Sequence, residues 1–286
     1  MRWTRRAAEP AESAPPAEDG TAKSRKPMGL LPFLLLLALF AWALRSFIVA
    51  PFTIPSGSML PTLFIGDYVL VAKWPYGYSR YSFPFGFPSF DGRLFERLPK
   101  RGDIVVFRGP GAQGDFIKRV IGLPGDTIEL RGGMVILNGK PMPRESNGSF
   151  ALPLSANTRC KLVPPAVPMM TRTADGTLAC RYPEYLETLP GGRTYPVLDQ
   201  VEAPRADDFP PTLVPAGHVF MLGDNRDDSM DSRFSVAEGG FGLVPVENLV
   251  GRAMVVVWSS DGSASWFKPW TWFPALRTDR VGTGLQ

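Results

Sequence analysis

An uncharged run from Pro27 to Leu44, directly behind Lys23, Arg25 and Lys26, limits what this chain can fold into more than any other feature. Apolar character resumes after Arg45 and lasts to Val49. A helix over residues 28–49 would be about 33 Å long, enough to cross the hydrocarbon of a bilayer. Arg45, near its far end, can carry its charge to the interface along an apolar stem. The three cations on the near flank place the N-terminus in the cytoplasm. The competing assignment is a cleaved signal peptide, because Ala41-Trp42-Ala43 has the small-x-small form of a cleavage site. Phe47, Ile48 and Val49 continue the apolar character past that point and favour an uncleaved anchor over residues 27–50. Residues 1–26 are polar, charged and proline-containing, and read as a disordered cytoplasmic tail.

Beyond the anchor the chain is predicted to be mainly β. Thirty prolines and 29 glycines favour short strands and turns over long helices. The basic residues behind a net charge of +4 are spread along the chain, which excludes a nucleic-acid face. One histidine and two cysteines are too few for a zinc site of the usual kind. Alternation and turn residues place strands at Tyr68–Ala72, Ile104–Phe107, Phe116–Ile121, Thr127–Leu130, Met134–Leu137, His218–Leu222 and Val250–Trp258. The Ile104–Phe107 run is continuously apolar, as in a strand buried on both faces. Residues 74–99 and the stretch Trp266–Phe273 are aromatic-rich, each either a cover over the core or a segment resting in a lipid interface. Residues 141–215 carry many prolines, both cysteines and little periodicity, and are expected to be a subdomain inserted between catalytic segments 51–140 and 216–286. In an exported domain Cys160 and Cys180, 20 residues apart, are candidates for a disulfide.

Three stretches carry candidate chemistry. Pro55-Ser56-Gly57-Ser58-Met59-Leu60-Pro61-Thr62 holds two hydroxyls in a proline-framed turn. Alone it could be an ordinary turn, since a serine is a weak nucleophile unless a base lies within reach. In Phe116-Ile117-Lys118-Arg119-Val120-Ile121, alternation puts Lys118 on one face with Phe116 and Val120, and Arg119 on the other. Lys118 is then either an exposed edge lysine or a desolvated amine whose lowered pKa lets it accept a proton. The third stretch, Gly223–Arg233, supplies Ser229 and the opposite charges of Asp231 and Arg233.

Together these stretches resemble the type I signal peptidase family: Pro-Ser-Gly-Ser-Met-x-Pro-Thr around Ser58, Lys-Arg-x-x-Gly-Leu-Pro-Gly-Asp from Lys118, and Gly-Asp-Asn-Arg-Asp-x-Ser-x-Asp-Ser-Arg from Gly223. Arg101-Gly102-Asp103-Ile104-Val105-Val106-Phe107 resembles the family's remaining box, and all four stand in the family's order. The resemblance implies coiled antiparallel β-sheets around a small barrel-like core. It also implies a serine endopeptidase in which Ser58 is nucleophile and Lys118 general base. Ser56 and the Ser58 N–H would form the oxyanion hole, Ser229 would orient the lysine, and Asp231 and Arg233 would support the site. Implied partners are exported preproteins, cut after a small-x-small (Ala-x-Ala) motif, and the lipid bilayer. The implied setting is a bacterial inner membrane with the catalytic domain outside it, the enzyme acting as a monomer without cofactor or metal. Ser235–Gly240 departs from the family pattern by lengthening a turn. Rival readings are weaker: His218 opens a strand outside every box, and a calcium loop from Asp227 would need glycine where Ser232 stands. The non-catalytic alternative is a membrane-anchored β-domain that only binds or scaffolds partners.

Overall fold

The computed structural model describes residues 29–111, 114–161, 169–265 and 267–285. An α-helix runs over Leu30–Ala43 without a charged residue, and Leu44–Ile48 continues it as a wider π turn. The 19 residues Leu30–Ile48 have a mean hydropathy of 2.1, long and apolar enough to cross a membrane. The expected helix to Val49 stops short for a specific reason. Val49 already pairs with Ala72, and the Lys73 N–H donates to the Ile48 carbonyl, so a sheet edge takes the groups another helical turn would use.

Residues from Phe40 onward form one compact unit. Its centre is a seven-stranded antiparallel sheet in the order Val49–Thr53, Asp67–Ala72, Leu249–Ser259, Ile104–Arg108, Asp115–Gly122, His218–Leu222, Val244–Pro245. The mainly β expectation is met: five of the predicted strands fall within a residue or two of these, and those at Thr127–Leu130 and Met134–Leu137 pair in a separate sheet. Ile104–Arg108 is buried on both faces, as its unbroken apolar run requires. Ile104 and Val106 pack with Met59, Leu63, Val69 and Val71. Val105 and Phe107 face the other way, against Val120, Met221 and Phe241. Each such side chain contributes on the order of 1.5–3 kcal/mol by leaving water, so this strand is the pin of the sheet. Its neighbour Asp115–Gly122 pairs in a register that sets Val105 opposite Lys118 and Ile104 opposite Arg119.

Residues 141–215 are more regular than their composition suggests. Arg144–Pro153 and Leu178–Thr188 form a long antiparallel pair, flanked by Met169–Arg172 and Thr194–Leu198. Phe209–Leu213 pairs with Thr127–Arg131. Leu189, Tyr195 and Val197 join Ile128, Leu130 and Phe220 in one hydrophobic cluster, so this segment shares a core with the central sheet. Cys160 and Cys180 are joined, with Cα atoms 5.6 Å apart. The aromatic stretch 74–99 is divided: Tyr76 and Phe83 are buried, whereas Phe85, Phe87 and Phe95 stand in the open. The C-terminal part also presents exposed Phe267, Trp270 and Phe273. Trp266 lies outside the described residues.

Candidate active site

The serine turn follows the edge strand Val49–Thr53 and is sealed beneath by Met59, Leu60 and Leu63, all buried. Ser58 is 8 % exposed, while Ser56 stands at the surface with its hydroxyl 3.5 Å from that of Ser58. Lys118 lies in the Asp115–Gly122 strand and is 4 % exposed. The register explains its surroundings. Arg119 pairs with Leu222, and one residue on, the partner chain leaves the sheet at Gly223, so the lysine opens onto a loop instead of another strand. Lys118 Nζ donates to Ser58 Oγ at 2.6 Å across 60 residues of sequence. Burial pushes the Lys118 amine down to about 8, against the opposing pull of Asp231 and Asp224. A substantial neutral fraction at neutral to alkaline pH, beside a hydroxyl in hydrogen-bond contact, is a geometry able to remove the serine proton.

The Gly223–Arg233 loop holds this pair from behind. The Asn225 N–H donates to the Ser58 carbonyl at 3.1 Å, and Asn225 Nδ2 donates to the Gly57 carbonyl at 3.1 Å. Gly223 is required for space: a Cβ there would stand 2.5 Å from the Ser58 carbonyl oxygen and collide with the Ser229 hydroxyl. Asp231 and Arg233 are both buried and joined twice, Nε to Oδ1 and Nη2 to Oδ2, each at 2.9 Å. Asp231 also accepts from the Gly223 N–H at 3.0 Å, and Arg233 donates to the carbonyls of Arg226 and Ala206. Burial would push the Asp231 carboxyl up, but the guanidinium and the backbone N–H hold it below its usual range. Ser229 is buried close by, though no hydrogen bond joins its hydroxyl to Lys118 Nζ.

Arg119 extends the framework on the opposite face. It grips Asp224 through Nε and Nη2 at 2.8 and 2.7 Å, and Thr62 donates to the same carboxylate at 2.5 Å. The start of the loop, the end of the serine turn and the lysine-bearing strand thus meet at one buried ion pair. A second pair ties in the 141–215 segment. Arg226 donates to both carboxylate oxygens of buried Glu187, and the Tyr195 hydroxyl donates to one of them at 2.6 Å. The Leu198 N–H adds a bond to the Asp224 carbonyl at 2.8 Å.

Two clefts meet at the serine turn. One, about 220 Å³, is lined by Phe52, Ile54, Ser56, Ser58, Val106 and Lys118 among others. The other, about 230 Å³, lies beyond Ser56 and Gly57 and is bounded by Leu60, Leu152, Tyr182 and Asp228. The structure therefore brings Ser56, Ser58, Lys118, Ser229, Asp231 and Arg233 into one neighbourhood. Cys160 and Cys180 belong to the 141–215 segment, and Cys160 packs at the edge of a cluster with Leu60, Leu152 and Tyr182. Sequence reasoning gave no role to Asn225, Gly223 or Glu187. The first two stand inside a quoted motif, but the contacts of Glu187 left no trace in local sequence.

A buried lysine hydrogen-bonded to a serine, carried on antiparallel sheet, is an arrangement that serine hydrolysis can use in place of a histidine triad. The family model described as "Signal peptidase, peptidase S26" matches residues 28–258, and the chain belongs to that family. It is 35 % identical over 274 residues to "Signal peptidase I" of Rickettsia typhi, covering 88 % of this chain and 90 % of that protein. With the "Signal peptidase I" of Rickettsia akari it shares 37 % identity over 274 residues, at the same coverage.

Proposed function

We propose that this S26 peptidase is a membrane-anchored serine endopeptidase that removes signal peptides from exported preproteins by a Ser58–Lys118 dyad. The observation that carries the reading is the 2.6 Å contact between Lys118 Nζ and Ser58 Oγ, with the amine pushed down to about 8 by burial. Neutral Lys118 takes the Ser58 proton as Oγ attacks the scissile carbonyl. The charge that develops on the carbonyl oxygen is met by the Ser58 N–H and the Ser56 hydroxyl. Lys118 then returns the proton to the leaving amine, and a water activated by the same amine releases the acyl chain. Ser229 is assigned to orient the amine by the resemblance of its motif, and its buried hydroxyl is without a hydrogen-bond partner among the described residues. Asp231 and Arg233 keep the loop closed behind it.

The narrow, largely apolar cleft beside Ser58 favours small side chains, in keeping with a small-x-small cleavage motif. Leu30–Ile48 is the anchor, with the N-terminus cytoplasmic and residues 51–286 on the outer side of a bacterial inner membrane. The Cys160–Cys180 bridge stabilises the 141–215 segment in that oxidising compartment. The test is direct. Detergent-solubilised protein is incubated with a preprotein whose signal ends in Ala-x-Ala, and the new N-terminus is mapped. Cleavage after the second alanine is expected, with loss of that cut when this alanine is replaced by leucine. No cut, or a cut indifferent to the replacement, would overturn the reading.

A further inference from the structure

Lys118 is not the only buried lysine. Lys73 follows the Asp67–Ala72 strand and is 4 % exposed, yet among the described residues no hydrogen bond or ion pair reaches its Nζ. Its amine stands over the Phe52 ring, 5.5 Å from the centroid. The amine borders a cavity of about 120 Å³ also lined by Arg45, Arg108, Asp115 and Ser82. Arg108 is paired with Asp115 at 3.2 Å, whereas Arg45 has no carboxylate partner among the described residues. Three cations thus line the cavity against one carboxylate. Burying a cation without a partner is costly, and an anion held among these three cations would offset that cost.

We infer that the Arg45–Lys73–Arg108 cavity is a binding site for the phosphate of an anionic phospholipid. This goes beyond the peptidase reading and does not depend on its chemistry. Two observations favour a lipid over a soluble phosphate. Arg45 lies in the last turn of the apolar Leu30–Ile48 segment, so if that segment spans a bilayer, Arg45 stands at headgroup depth. Phe85 lines the same cavity and is fully exposed, with Phe87 also largely exposed two residues on, which offers acyl chains an apolar rim. The volume accommodates one phosphate group but leaves no room for a nucleotide. Burial pushes the Lys73 amine down to about 8, and an anion in the cavity would raise it again.

The probe is dihexanoyl-phosphatidylglycerol titrated into the full-length protein in a non-ionic detergent, with dihexanoyl-phosphatidylcholine and inorganic phosphate as separate arms. Retained lipid is read by native mass spectrometry. One phosphatidylglycerol is expected to bind in preference to phosphatidylcholine, and Lys73→Met and Arg45→Gln should each weaken it about fivefold or more, the effect of one basic charge at a lipid surface. Arg45 is exposed, so its variant keeps the test open even if Lys73→Met fails to fold. Equal retention of both lipids, or an Arg45→Gln protein that binds phosphatidylglycerol unchanged, overturns the inference. Saturation by inorganic phosphate at lower concentration than the lipid overturns the lipid assignment. Binding is read without cleavage, so failure here is distinct from failure of the peptidase reading.

Discussion

Lys118 shows how much a single strand position decides. Its neighbours Phe116 and Val120 made the alternation readable, and the sequence could therefore offer a desolvated amine as one of two outcomes. What it could not show is where Leu222 stops pairing and Gly223 turns away, the event that leaves the amine facing Ser58. If the amine is the base, log kcat/KM should rise with unit slope as pH climbs from about 6 and level off above about 8, because only neutral lysine can take the proton. A profile flat across that range would falsify the assignment. Ser58→Ala and Lys118→Ala should each abolish processing, since removing either member of a unit that acts together costs most of its rate enhancement. For Ser56→Ala we expect roughly 10²–10³ in kcat with KM little changed, the signature of a lost oxyanion donor. A defect confined to KM would show that Ser56 only shapes the turn.

At the scale of elements, the loop Gly223–Arg233 is the part whose composition was legible and whose work was not. Asp231 and Arg233 could be read as a pair because opposite charges two residues apart sit in a polar run. Asn225 could not, because a residue whose side-chain amide reaches the Gly57 carbonyl 168 residues away, and whose backbone N–H reaches that of Ser58, has no periodic signature. Gly223→Ala should fold but displace the Ser58 carbonyl. The expected result is a fall in kcat of tenfold or more with signal-peptide affinity retained, measured by steady-state kinetics beside a peptide-binding titration. The 141–215 segment hid its strands because Arg144–Pro153 is mostly exposed and therefore free of an apolar alternation. Its Glu187 leaves Arg226 buried and unpaired when replaced by alanine. Breaking one side of such a pair costs about 3–5 kcal/mol, which chemical denaturation of Glu187→Ala should report.

Over the whole molecule, the apolar helix and the β class were legible because each rests on composition summed over many residues. The division of the aromatic residues between core and surface was not, since Phe83 and Phe85 read alike in sequence and end at opposite extremes of exposure. Exposed Phe267, Trp270 and Phe273 support a second membrane contact besides the anchor. A chain starting at Val49, which keeps the edge strand, is expected to float with liposomes. Replacing Phe267 and Phe273 by serine should reduce that partitioning at least tenfold, since each ring buried in lipid contributes on the order of 1.5–3 kcal/mol. Recovery of the parent in the soluble fraction would leave Leu30–Ile48 as the sole attachment.

The clasp between Asn225 and the Gly57–Ser58 carbonyls also sets a schedule. The two partners are 168 residues apart, so at about 5–20 residues per second the ribosome finishes the serine turn roughly 10–30 s before Asn225 exists. During that interval the turn has neither its clasp nor the buried Asp224 that receives Thr62 and Arg119. A half-made chain emerging beside other nascent chains, and beside the Ala41-Trp42-Ala43 stretch of its own apolar helix, therefore carries the proposed nucleophile unarmed. Competence arrives late and all at once, when the last third of the polypeptide closes on the first.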